Sequence, residues 1–115
     1  MNDATPTMTL SPQTSLLLTQ ITATPDLETA LWRVLHDYTG LKTQQIRQQI
    51  TAFETKWGMT FDEFSQRCEH GTLGQDPYAY DVESDYWDWE KAVTLLGHYE
   101  ALLSLIHISE PTRPY

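Results

Sequence analysis

Apolar residues recur at steps of three and four from Leu27 onward: Leu27, Leu31, Val34, Leu35, Tyr38 and Leu41. That spacing predicts an amphipathic helix with a single apolar stripe. Pro25 and Asp26 stand where a helix start favours them, Pro for its fixed φ and Asp as an N-cap or first-turn acid. The stripe resumes at Ile46, Ile50, Phe53 and Trp57. Ile46 falls only about 20° from the face of Leu35, because eleven residues nearly complete three turns. Gly40 interrupts the run at a cost of about 1 kcal/mol, which a packed stripe outweighs. The expectation is one long helix over about 26–57, roughly 48 Å at 1.5 Å per residue. A helical hairpin broken at Gly40 is the alternative.

Gly58 closes that helix and the next begins at once. Thr60 and Glu63 form the capping box T-x-x-E, with Met59 and Phe64 placed as a hydrophobic staple. The second helix runs to about His70 and stops at Gly71; residues 71–80, with Gly74 and Pro77, form a loop. A third helix is expected over about 81–102, with Val82, Tyr86, Trp89, Val93 and Leu96 on one face and Asp81, Asp85 and Asp88 on another. Residues 1–24 are rich in Thr and Ser, contain Pro6 and Pro12 and show no helical period. They predict a flexible arm with a short extended piece near Leu16 to Thr22. The fold class is all-α: a long helix, a helix–turn–helix junction, and an acidic–aromatic helix packed back onto the first.

The segment Leu103 to Arg113, LSLIHISEPTR, resembles the translation of a transposon-end sequencing adapter. It is expected to be a non-native tail, together with Pro114 and Tyr115, and is set aside from functional reasoning. The helical domain is then 25–102.

Charge sharpens the picture. The net charge is −9, and Glu110 and Arg113 cancel in the tail, so the excess belongs to residues 1–102. An acidic chain is poorly matched to DNA, RNA or an anionic membrane surface, which are bound by a surplus of Lys and Arg. A basic protein fits better. The single cysteine, Cys68, excludes an internal disulfide and is consistent with a reducing cytoplasm. No run approaches the roughly 18 apolar residues of a membrane span.

The acids are concentrated between Arg67 and Lys91, where seven carboxylates occur without a base, interleaved with Tyr78, Tyr80, Tyr86, Trp87 and Trp89. Asp81, Glu83 and Asp85 suit a helix N-terminus through the dipole, and Tyr86 and Trp89 suit a core. Trp87 lies off the apolar stripe and has no such reason. Rings amid carboxylates are what a surface needs to dock on a basic groove. Asp81, Glu83, Asp85, Trp87, Asp88 and Glu90 are therefore the candidate partner-binding residues. Thr60, Glu63, Phe64, Tyr86 and Trp89 are the candidate structural ones.

Catalytic and metal readings find little. Cys68 and His70, with His36 or His98, match no structural zinc spacing. Asp62 with Glu63 and Asp85 with Asp88 are acid pairs without a neighbouring nucleophile or Gly-rich turn. No catalytic residue, cofactor or metal is expected.

The run from Ala52 to Leu96, AFETKWGMTFDEFSQRCEHGTLG…YAYDVESDYWDWEKAVTLL, resembles a family of small prokaryotic proteins encoded beside toxin genes. Their pattern is a helix ending in [FY]-E-x-K-[YW]-G-M-[ST]-F-x-E-F, a short loop, then D-Y-W-x-W-E-x-[LA]-V-T. The resemblance covers under half the chain; G-M-T-F-D-E-F marks a helix junction, and D-Y-W-D-W-E is the more specific part. It implies the antitoxin of a toxin–antitoxin pair, with Tyr86, Trp87, Trp89 and Glu90 as toxin-facing or framework residues. The expected function is neutralisation of a cognate toxin by direct binding. An acidic mimic of nucleic acid that inhibits a nucleic-acid-binding enzyme, or a homo-oligomeric helical structural protein, are the alternatives.

Overall fold

The computed structural model describes residues 9–109, with side chains to residue 106. Four helices and, among the described residues, no strand make up an all-α fold: α1 (Pro12–Thr22), α2 (Leu27–Trp57), α3 (Phe61–His70) and α4 (Tyr80–Ser109).

Every helix start carries a capping side chain or a first-turn acid. The Asp26 carboxylate accepts from the Thr29 N–H at 3.1 Å and from the Thr29 hydroxyl. These bonds, the hydroxyl's first, hold its pKa below the ordinary carboxylate value. Thr60 Oγ1 accepts from the Glu63 N–H at 3.3 Å, as the capping box requires. Asp81 and Glu83 occupy the first turn of α4. Gly58 and Gly71 end α2 and α3 with φ of 69° each, a backbone that glycine adopts without a Cβ penalty. Gly40 sits unbroken within α2, with open space where a Cβ would stand.

α2 and α4 form an antiparallel hairpin. Trp57 meets Asp85, Phe53 stacks on Trp89 at 5.5 Å, and Arg47 pairs with Glu100. The packed seam of α2 is Thr39, Thr43, Ile46, Ile50, Phe53 and Trp57, a 4-3-4-3-4 spacing. That of α4 is Val82, Asp85, Trp89, Ala92, Leu96, Tyr99, Leu103 and Ile106, which keeps the same heptad-like alternation. α3 caps one end, where Phe64, Val82 and Trp89 are fully buried and Ile50, Phe53, Trp57, Phe61 and Tyr86 pack round them. α1 lies on the other end, against α2.

Four expectations about the helices are corrected. Residues 12–22 form a helix rather than an extended piece in a flexible arm. The start signal is present in Ser11, whose Oγ accepts from the Thr14 N–H at 3.1 Å, and in Pro12 in the first turn. The arm's residues 1–8 fall outside the described residues. The stripe of α2 does not stay on one face: Leu35, Tyr38 and Leu41 are 48%, 54% and 63% exposed. Steps of three residues each fall back about 60° round a helix, so Leu41 lies about 120° from Leu35, while Thr39 and Thr43 hold the seam. Val93 is exposed too, its expected place taken by the buried Ala92. α4 also continues past Leu102 to Ser109, because LSLIHIS contains no breaker and Leu103 and Ile106 hold the seam register; residues 110–115 lie outside the described residues.

The molecule is long for its size. Its extents are 58 × 37 × 29 Å and its radius of gyration is 20.7 Å, against about 13 Å for a compact domain of this length.

Candidate functional site

The acidic residues do not spread evenly over this rod. Residues 58–102 carry ten carboxylates and two bases, an excess of eight negative charges that, with Asp3, makes up the whole net charge. The α3–α4 end is thus the acidic pole.

The loop between α3 and α4 shapes that pole. Gly71 and Thr72 turn back on Arg67, the Thr72 N–H donating to the Arg67 carbonyl at 2.9 Å. Asp76 then closes an Asx-turn, its Oδ1 accepting from the Tyr78 N–H at 2.9 Å, and its carbonyl accepts from the Ala79 N–H at 3.1 Å. This fixed turn throws Tyr78 and Tyr80 outward, 82% and 88% exposed.

Trp87 stands next to them on the outer face of α4 and is 60% exposed. It shares that face with Tyr80, Glu83, Glu90 and Thr94, which lie within one helical quadrant or so of it. Its ring meets Tyr86 edge-on, at 5.8 Å and 82°. Tyr86 is itself anchored by Phe61 at 5.4 Å and by the Ser65 hydroxyl, 3.1 Å from its own. The exposed indole therefore rests on a framework ring. A concavity of about 300 Å³ opens on one side of it, walled by Cys68 and Glu69 of α3, Tyr78 of the loop and Glu83 of α4. A second, of about 450 Å³, lies on the other side between Asp88, Glu90, Lys91 and Leu95. Burial pushes the Cys68 thiol above its ordinary pKa.

The six candidate partner-binding residues divide. Glu83, Trp87 and Glu90 gather on the outer face, with Glu90 half-buried. Asp81 and Asp88 are exposed on the rim toward α2, where Asp88 also borders a groove of about 510 Å³ between α2 and α4 with Lys42, Gln49 and Leu95. Asp85 is turned inward. Its carboxylate accepts from the Trp57 Nε1–H at 3.0 Å and pairs with the Lys56 ammonium at 2.6 Å, with 15% of the side chain exposed. It holds helices together. The heptad spacing from Val82 and Trp89 would have placed it on the seam. Tyr78, Tyr80 and Glu69 join the site from outside the candidate set; the signal for the tyrosines is their place in the turn between two helices, where rings have no core to enter.

The candidate structural residues lie in the framework. Phe64 is fully buried and lies 4.8 Å from Trp57 and 5.1 Å from Trp89. Thr60 and Glu63 sit at the α3 cap.

Among the described residues no group of His, Cys, Asp and Glu could hold a metal ion, and no helix is long and apolar enough to cross a membrane. No protein-family model matches the chain, and no curated protein or solved structure shows significant similarity to it.

Proposed function

We propose that this chain works by binding a basic protein through its acidic pole, in the manner of an antitoxin that occludes its cognate toxin. The observation that supports this most is Trp87: an indole left in solvent, backed by the anchored Tyr86 ring, flanked by two concavities and bordered by Glu83 and Glu90. A large ring on a rigid base loses little entropy when it is covered, so it serves as an anchor. The surrounding carboxylates would steer a basic partner and set its orientation. The acidic excess speaks against direct nucleic-acid binding, and the run D-Y-W-D-W-E resembles the pattern of antitoxin-like proteins.

The test is co-expression with the product of the neighbouring gene. Growth arrest by that product, relieved by the wild-type chain and not by a Trp87→Ala, Glu83→Lys variant of unchanged helix content, is the expected result. Rescue that is indifferent to both substitutions would remove this face from the interface.

A further inference from the structure

We propose that the concavity between α3 and α4 receives one primary ammonium group, the lysine side chain of a basic partner protein. That a partner supplies the lysine rests on the docking role of the acidic pole; the chemistry of the concavity stands apart from it.

Three rings and two carboxylates line the same hollow: Tyr78, Tyr86 and Trp87 with Glu69 and Glu83. A cation is the ligand that both kinds of wall attract. The face of an aromatic ring carries negative potential and stabilises an ammonium held within about 6 Å of its centre, the more so once water is excluded. A carboxylate adds full charge and accepts N–H donors. Among the described residues no base lines the hollow. The carboxylates of Glu69 and Glu83 have no ion-pair or hydrogen-bond partner among those residues, whereas neighbouring acids do: Glu63 pairs with Arg67, and Asp85 with Lys56.

The rings are set before any ligand arrives. Tyr86 is fixed by Phe61 and the Ser65 hydroxyl, Trp87 rests on Tyr86, and the Asx-turn of Asp76 holds the backbone at Tyr78. Walls that are already in place lose little entropy on binding.

Shape selects the cation. Tyr86 and Trp87 meet at 82°, so the aromatic wall turns a corner. A compact ammonium can touch both sides of a corner, while a planar guanidinium stacks flat on one ring. A quaternary ammonium would fill the corner too, but it brings no N–H for Glu69 and Glu83; lysine brings three. The volume of about 300 Å³ equals roughly ten waters at about 30 Å³ each, room for one lysine side chain and not for a helix.

The experiment is a proton–nitrogen correlation NMR titration of the full chain with Nα-acetyl-lysine amide, following the Trp87 indole N–H and the Tyr78 amide. Saturable shifts of both at about millimolar probe are expected, with the buried Trp89 indole unmoved. The neutral Nα-acetyl-norleucine amide should give none. Glu69→Gln with Glu83→Gln should weaken lysine binding by about 10-fold at unchanged circular dichroism. Should that variant lose helix, Glu69→Gln alone serves, with about 3-fold expected. Absence of saturable shifts overturns the proposal. So does equal binding of the norleucine probe, tighter binding of Nα-acetyl-arginine amide or choline, or binding indifferent to the two carboxylates. The titration uses no partner, so the two readings fail separately. Probe binding without rescue in the co-expression test overturns the antitoxin reading and leaves the hollow as an ammonium site. Rescue without probe binding overturns the ammonium site alone.

Discussion

The Asp85 carboxylate accepts the indole N–H of Trp57 at 3.0 Å across the α2–α4 seam, and the Lys56 ammonium closes on the same oxygen at 2.6 Å. Lys56 also lies 5.7 Å from the Trp57 ring centre, so base, ring and acid form one cluster. Its position at the α3 end of the hairpin makes it a lock between the end of α2 and the start of α4. Asp85→Lys strands the indole donor and sets two ammonium groups together; it should cost about 2–3 kcal/mol in urea melts. A double-mutant cycle of Trp57→Phe with Asp85→Asn should return a coupling of about 1 kcal/mol. Additive effects would show that the bond does not form in solution.

The same seam contains an imperfection. Trp89 is fully buried, stacked on Phe53 and edged by Phe61 at 5.5 Å, yet its Nε1–H has no acceptor among the described residues. Trp89→Phe removes that orphan donor and keeps a ring, whereas Trp89→Ala leaves a cavity. The first should cost about 1–2 kcal/mol and the second about 4 kcal/mol. Equal losses would mean that the N–H is satisfied.

Much of the fold was legible because its signals were local. The Thr60–Glu63 box and Gly58 mark the α2–α3 junction by chemistry confined to a few neighbouring residues, and α2 has the expected bounds to within a residue. What escaped was decided by partners far along the chain. Leu35, Tyr38 and Leu41 look like a core stripe by spacing, but α4 covers the threonine side of α2 instead. Asp85 looks like its exposed neighbours Asp81 and Asp88 until Trp57, 28 residues away, is brought against it. At the acidic pole, Trp87 was legible through its departure from the stripe; Tyr78 and Tyr80 needed the Asx-turn of Asp76 to show where they point.

Ala23 closes α1 at φ 54° and is the one non-glycine residue with positive φ among those described. An L side chain is disfavoured there, and glycine is not. Ala23→Gly should therefore stabilise the α1–α2 turn by a few tenths to about 1 kcal/mol, the gain being reduced by the added freedom of the unfolded chain. A lowered thermal midpoint would contradict the left-handed cap.

Asp26 supplies a pH dependence of known sign. Its pKa is lowered in the folded chain by the Thr29 hydroxyl and N–H. Its contribution is therefore complete above the ordinary carboxylate value of about 3.9 and fades as pH falls through the lowered one. The stability difference between wild type and Asp26→Ala should be flat from about pH 5 to pH 7 and shrink below about pH 4. A difference that grows on acidification would reverse the assignment.

The acidic pole makes the most specific demand on kinetics. Glu83 and Glu90 flank Trp87 on the outer face of α4 and take no part in the cluster round Asp85, so reversing them should leave the helices in place. In the proposed complex with a basic partner their charge acts at a distance, before contact. Glu83→Lys with Glu90→Lys should slow association by about 10-fold at low salt and flatten its dependence on ionic strength. Trp87 acts only after contact, since a ring half in solvent exerts no long-range force. Trp87→Ala should leave the association rate nearly unchanged and speed dissociation by about 30-fold, the loss of a central aromatic anchor. Binding kinetics at two salt concentrations separate the two effects. If Trp87→Ala acted on association, or if the double charge reversal changed only dissociation, carboxylates and ring would not divide steering from anchoring, and the face would not be the docking surface proposed for it.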